Sequence, residues 1–177
     1  ICGRRSEVLD KVKTELSELT EIFSLKFDVR NLKEVETAIA SLPSAWKNVD
    51  VLINNAGNAH GLEPLSAGST DDWDNMIDGN VKGLLYVSKT LIPMMKERSS
   101  GQIINISSVH SRVTWVKRKA LPYCAGKAGM NMFTKALGVE VAQYGIRVNG
   151  IAPGFIQTRL TTRYPDEQIA AFQRKIP

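Results

Sequence analysis

Apolar residues recur along this chain at two alternating periods. Val8, Leu9, Val12, Leu16 and Leu19 stand at helical spacing, which predicts a helix over residues 6–18 with Ser6 as its N-cap. Residues 22–27 predict a short strand ending at Asp28. Asn31 stands where a cap would open a second helix with Leu32, Val35, Ile39 and Leu42 as its buried stripe, and Pro43 stops it. Val49 to Ile53 reads as a buried strand, and the Asn-Asn-Ala-Gly after it is loop chemistry. Residues 71–98 predict one helix, with Trp73, Met76, Ile77, Leu84, Leu85, Val87, Leu91, Ile92 and Met95 as its apolar positions. A strand over 102–106, a long helix over 122–143, a strand over 146–151 and a helix over 165–175 complete the pattern.

Strands alternating with helices of this length predict an α/β fold with a doubly wound, Rossmann-like parallel sheet between two helical layers. No repeat, low-complexity tract or linker divides the chain, so residues 1–177 read as a single domain. Ligands of such sheets sit beyond the carboxyl ends of the strands. The polar and glycine-rich segments fall there: Asp28, Asn54 to Gly57, Ser107-Ser108 and Pro153-Gly154.

Composition adds little to this picture. With 43% hydrophobic and 23% charged residues, the 177-residue chain can bury one sizeable core. Its net charge of +5 is scattered, which speaks against nucleic-acid binding. The densest basic stretch, Lys117-Arg118-Lys119, reads as a solvated loop, with an anionic substrate or a cofactor phosphate as other readings. Cys2 and Cys124 have no metal-type spacing, so no metal is expected; they read as free thiols in a reducing, cytoplasmic setting. No apolar run approaches the roughly 18 to 20 residues that cross a bilayer. No charged-then-apolar leader is visible, although the chain does not begin with Met.

The candidate chemistry starts with Tyr123 and Lys127, four residues apart at the start of a helix and so on one face. A tyrosine ordinarily loses its proton near pH 10; an ammonium one turn away favours the phenolate and lowers that value. Ser108 follows a strand and can donate to a substrate oxygen, or serve only as a cap or turn residue. Asn80 sits inside a helix, where Asn is unfavourable; it either holds a water against the backbone and the Lys or faces solvent.

Leu52-Ile53-Asn54-Asn55-Ala56-Gly57, Asn80, Ile106-Ser107-Ser108, Tyr123 to Lys127, and Arg147-Val148-Asn149 running to Pro153-Gly154 follow one another as in the short-chain dehydrogenases/reductases, which the chain resembles over nearly its whole length. The resemblance implies that Tyr123 is the general acid/base and that Lys127 lowers its pKa and holds the nicotinamide ribose. It implies that Ser108 orients the substrate carbonyl and Asn80 completes a proton relay through water. Asn55, Ala56 and Gly57 would pack on the adenosine side, with Asp28 and Val29 near the adenine and Ile106 in the cofactor-binding set. Pro153, Gly154, Ile156 and Thr158 would contact the nicotinamide end. The expected reaction is reversible hydride transfer between NADP(H) and a small carbonyl or secondary alcohol.

NADP is favoured because Gly3, Arg4 and Arg5 stand where the family's NAD users carry an acid. A carboxylate there would repel the 2′-phosphate, and a guanidinium binds it in a fork. The pattern also breaks. The family's first strand with its glycine-rich phosphate loop, and its last strand, have no counterpart in the sequence. A catalytically silent nucleotide-binding or scaffold fragment is therefore the competing reading. Ser108 and Tyr123 are 15 residues apart, longer than usual for the family, which implies an insertion around Trp115 to Lys119 and leaves Ser107 and Ser111 as alternatives to Ser108. Ser41-Leu42-Pro43 and Asp72-Trp73-Asp74 look like the branch oxidising serine and other 3-hydroxy acids. Residues 123–158 look more like 3-oxoacyl-thioester reductases or glucose dehydrogenases. Leu84, Val87, Met94, Met130, Met132 and Phe133 put apolar groups on more than one face of two helices, which with the resemblance implies a homodimer or homotetramer built on a four-helix contact.

Overall fold

The computed structural model of the chain describes residues 1–60, 63–113, 121–158 and 164–174. The expected insertion around Trp115 to Lys119 lies outside them. The elements alternate as the periodicity predicts: β1 (Cys2–Gly3), α1 (Ser6–Leu16), β2 (Leu25–Lys26), α2 (Leu32–Ala40), β3 (Val51–Asn54), α3 (Thr70–Ile77), α4 (Gly83–Glu97), β4 (Gly101–Ile106), α5 (Leu121–Val141), β5 (Ile146–Ile151) and α6 (Asp166–Gln173). Every described strand pair is parallel: β1 with β2, and β3–β4–β5 in that order. Gly3 at the end of β1 and Ala56 just beyond β3 line one crevice, so the two sets of strands run outward from it in opposite directions. That is a topological switch point. Right-handed crossovers then put α1 on one face of the sheet and α2, α4 and α5 on the other. The fold is the doubly wound, Rossmann-like arrangement. Among the described residues no strand lies between β1 and β3.

The core follows from the apolar stripes. Val35 and Ile39 of α2, Val87, Leu91 and Met95 of α4, and Leu137 and Val141 of α5 close over Leu52, Ile103 and Ile146 of the three central strands. Alternate residues of β3 point the other way, and Val51 and Ile53 remain about half exposed on that opposite face. Polar side chains pin the sheet to these helices. The Asn54 amide donates to Ser88 Oγ (3.1 Å) and to Asn105 Oδ1 (2.9 Å), and Asn105 donates to Thr134 Oγ1 (2.9 Å). Asn54 and Asn105 are register partners, so this buried ladder fixes how β3 and β4 align at the end that carries the site.

Several element boundaries differ from expectation. Asn31 caps α2 as predicted, its Oδ1 accepting from the backbone of Lys33 and Glu34 while its amide donates to Glu34 Oε1. Ser6 does not cap α1; Arg5 holds the cap position with extended backbone and no side-chain cap bond. The strand expected over 22–27 narrows to Leu25–Lys26, where its neighbour among the described residues, β1, offers two residues for pairing. The single helix expected over 71–98 is interrupted at Asp78–Lys82 by one π-helical turn, closed by the Gly83 N–H on the Asp78 carbonyl. Such turns insert an extra residue and are frequent at functional sites. Gly145 ends the turn after α5 with φ +68, where a Cβ would also press on the Ser99 carbonyl.

Candidate active site

α5 begins at Leu121, beyond the carboxyl end of β4, and presents Tyr123 and Lys127 one turn apart. Lys127 is buried at 4% exposure, its ammonium 5.9 Å from the centre of the Tyr123 ring and 2.7 Å from the Ile106 carbonyl that accepts from it. Burial holds the Lys127 pKa below its ordinary value, since leaving water penalises the charged form. The α5–β4 contact is tied a second time, by Ser107 Oγ donating to the Lys127 carbonyl at 3.2 Å.

Three serines compete for the substrate oxygen, and their hydrogen bonds separate them. Ser107 is buried and donates to Lys127; Ser111 donates to the Ser108 carbonyl at 2.6 Å and accepts from Asn131. Ser108 heads the tight turn Val109–Ser111, and its Oγ accepts from the His110 backbone at 3.2 Å. The same Oγ lies 3.3 Å from His110 Nδ1, and the His110 ring meets Tyr123 edge-on at 6.1 Å. Ser108, His110, Tyr123 and Lys127 therefore form one cluster. The Val109 N–H bonds the Pro153 carbonyl, which joins the segment after β5 to the same cluster. Gly154, Ile156 and Thr158 follow it and are exposed.

Asn80 is fully buried in the π turn. Its side chain does not face solvent: Oδ1 accepts from the Asn58 N–H at 3.0 Å, and its amide donates to the Asn58 carbonyl at 2.8 Å. A Cβ at Gly57 would run into that Oδ1 and would stand 3.5 Å from Lys127 Nζ, so glycine is what lets the loop, Asn80 and Lys127 converge. Asn55, Ala56 and Gly57 themselves are exposed at the mouth of the switch-point crevice. Ala56 and Gly57 line it with Gly3, Arg4, Asp28, Val29 and Arg30, around a volume of about 220 Å³. Arg5 is exposed at the start of α1. Asp28 carries a twofold guanidinium contact from Arg30, which holds its carboxyl below the ordinary value.

Sequence reasoning missed Arg30, Asn58 and His110. His110 carried a signal, a titratable ring two residues from the candidate serine; Asn58 carried none beyond polarity, because what recruits it is the π turn. Among the described residues no group of three or more His, Cys, Asp or Glu could hold a metal ion, and no helix is long and apolar enough to cross a membrane.

Known proteins are similar to this chain in sequence and in overall structure. The family model described as short chain dehydrogenase matches residues 1–169. The NADP-dependent 3-hydroxy acid dehydrogenase YdfG of Salmonella typhi is 42% identical over 154 residues, covering 87% of this chain and 60% of that protein. Among solved structures, serine dehydrogenase from Escherichia coli superposes with a TM-score of 0.81 at 40% identity, covering 86% of this chain and 69% of the other. The closed form of serine dehydrogenase complexed with NADP+ gives 0.84 at 35% identity, over 99% and 71%. The chain thus spans about 60% of the length of the curated relatives it matches.

Proposed function

The chain belongs to the short-chain dehydrogenases, and on that premise we propose that the whole protein is an NADP-dependent oxidoreductase interconverting a small secondary alcohol and its carbonyl. The observation that carries this reading is the pairing of Tyr123 with buried Lys127 on one face of α5, beside Ser108 and next to the switch-point crevice. The crevice residues suit the adenosine end of the cofactor: glycines at positions 3 and 57 keep its walls low, and the exposed Arg4 guanidinium suits a 2′-phosphate. Bound there, NADP(H) supplies or accepts the hydride.

The chain's own residues then manage the proton and the orientation. Tyr123 gives its hydroxyl proton to the carbonyl oxygen in reduction and takes it back in oxidation. Ser108 donates a hydrogen bond to the same oxygen and fixes its direction. Lys127 supplies positive charge beside the phenol and reaches the nicotinamide ribose, and Asn80 uses its π-turn backbone to hold a relay water towards Lys127. Asn55, Ala56, Asp28 and Val29 bound the adenosine, Ile106 presents its carbonyl to Lys127, and Pro153, Gly154, Ile156 and Thr158 flank the nicotinamide. A 3-hydroxy acid or a 3-oxoacyl compound is the proposed substrate type. The 3-hydroxy acid has the stronger support, from the sequence of the first hundred residues and from the relative at 42% identity. A panel of 3-hydroxy acids and 3-oxoacyl thioesters followed at the NADPH absorbance band tests it; turnover of neither contradicts it and favours a silent nucleotide-binding protein.

Arg4→Asp exchanges attraction for repulsion at the 2′-phosphate. Charge-assisted bonds are worth roughly 1.5 to 3 kcal/mol, so the NADP-to-NAD preference shifts by at least about tenfold. Unchanged NADP affinity would move the role to Arg5.

Assembly as a cytoplasmic homodimer or homotetramer is proposed from a set of residues that keeps only Met132 of those the sequence suggested. Leu84, Val87 and Met130 are buried in the chain's own core, and Met94 and Phe133 pack against it. The outer faces of α4 and α5 instead expose Leu85, Leu121, Met132 and Val139, the last at 82%. Val139→Glu is expected to weaken self-association of the whole protein at micromolar concentration, and to lower its melting temperature only through the lost association. Sedimentation that is the same with and without the substitution would contradict this.

A further inference from the structure

Arg30 lies in the switch-point crevice with Arg4, on the same carboxylate. Its Nε is 3.1 Å from Asp28 Oδ1 and 3.0 Å from Oδ2, its Nη2 is 2.6 Å from Oδ2, and its own N–H donates to Oδ1 at 3.0 Å. Its remaining arm, Nη1, reaches Asn75 Oδ1 on α3 at 2.5 Å. Arg4 stands further off, Nη1 at 3.7 Å from Asp28 Oδ2, on a side chain 62% exposed. Asp28 is thus held closely by one guanidinium and approached loosely by another. These three side chains together carry one net positive charge, with the Glu34 carboxylate on the Asp28 N–H and Asp78 acting on Arg30 from nearby, and Arg4 is the guanidinium more open to solvent.

Without Arg30 the two remaining groups would behave differently. Asp28 would pair with Arg4, the pair would be neutral, and an incoming phosphate would have to displace a carboxylate to reach its guanidinium. Like charges in one crevice also repel directly. The Asp28 backbone N–H donates to Glu34 Oε2 at 2.9 Å and the Arg30 backbone N–H donates to Asp28 Oδ1 at 3.0 Å, two contacts that do not use the Arg30 guanidinium.

We propose that Arg30 is a specificity-determining residue for adenine nucleotides carrying a 2′-phosphate: by holding Asp28, it frees Arg4 for that phosphate and cancels a carboxylate that would repel it. The inference rests on the NADP reading of the crevice and adds to it a residue that acts through another. Arg30 also braces the loop against α3 through Asn75, and that structural role makes a different prediction, an equal loss for every nucleotide.

The test is calorimetric titration of the whole protein with adenosine 2′,5′-bisphosphate and with 5′-AMP, which differ by the 2′-phosphate alone. The wild type is expected to prefer the bisphosphate by at least about tenfold. Arg30→Met is expected to lower that preference about tenfold while changing 5′-AMP affinity by less than about twofold. Arg30→Lys, which keeps the charge, is expected to retain most of the preference, and adding Asp28→Asn to Arg30→Met to restore it. Equal losses for both nucleotides, or an unchanged ratio in Arg30→Met, would overturn the inference and leave Arg4 untouched. A wild type that binds the two ligands equally would overturn the NADP reading itself, and this inference with it.

Discussion

Tyr123→Phe in the whole protein is expected to lower turnover by about 10² to 10⁴-fold while leaving NADPH binding within about twofold. The phenyl ring keeps its edge contact with His110 and its place one turn from Lys127, so packing survives the substitution. What disappears is the one hydroxyl of the cluster that can exchange a proton with the substrate oxygen. Ser108 cannot replace it, because a serine hydroxyl is far too weak an acid and its oxygen already accepts from the His110 backbone. The check pairs single-turnover rates at the NADPH absorbance band with a fluorescence titration of NADPH. Retention of more than a tenth of the wild-type rate would remove Tyr123 from the role of acid.

Lys127→Met is the second large effect, and its signature is a split between activity and stability. A buried ammonium is expensive, and one backbone carbonyl, that of Ile106, answers it here at 2.7 Å. Methionine keeps much of the stem and removes the charge. Turnover is expected to fall by about 10²-fold or more, with the Michaelis constant for NADP rising, because the proposed ribose contact would go as well. The melting temperature at neutral pH is expected to stay within a few degrees of wild type, since loss of one hydrogen bond offsets relief of desolvation. The pH dependence carries the sign. The folded pKa of Lys127 lies below its unfolded value, so between the two the unfolded chain binds more protons and stability rises with pH. Below the folded pKa the penalty is present in full. Wild type should therefore gain stability as pH climbs through that alkaline window, and Lys127→Met should lack this gain. Parallel losses of activity and stability at neutral pH would reduce Lys127 to a structural residue.

The sequence made the repeating elements legible because each depends on neighbours a few positions away. Val35 and Ile39 mark the buried face of α2, Asn31 caps it through its own next two N–H groups, and the Tyr123–Lys127 spacing is a local property of α5. Features set by distant partners were not legible. The π turn exists where Asn80 turns inward to Asn58, 22 residues earlier, and no periodicity encodes that bond. Arg30 looks like a surface residue until the fold brings Arg4 to the same carboxylate. Phe133 and Met94 are surplus to one helical stripe, yet both pack, partly buried, against the core. That Ser107 and Ser111 both donate to backbone carbonyls was not legible either, because the acceptors, Lys127 and Ser108, are set by the fold.

Hydride transfer by the whole protein is the central claim, and isotope transfer reads it most directly. The protein would be incubated with NADPH deuterated at C4 of the nicotinamide and a 3-oxo acid, and the product examined by mass spectrometry. The account predicts a 3-hydroxy acid carrying one deuterium at C3, formed at least about a hundredfold more slowly when Tyr123→Phe replaces the wild type. A protein that binds NADPH but forms no deuterated alcohol from any 3-oxo acid or 3-oxoacyl thioester would contradict it.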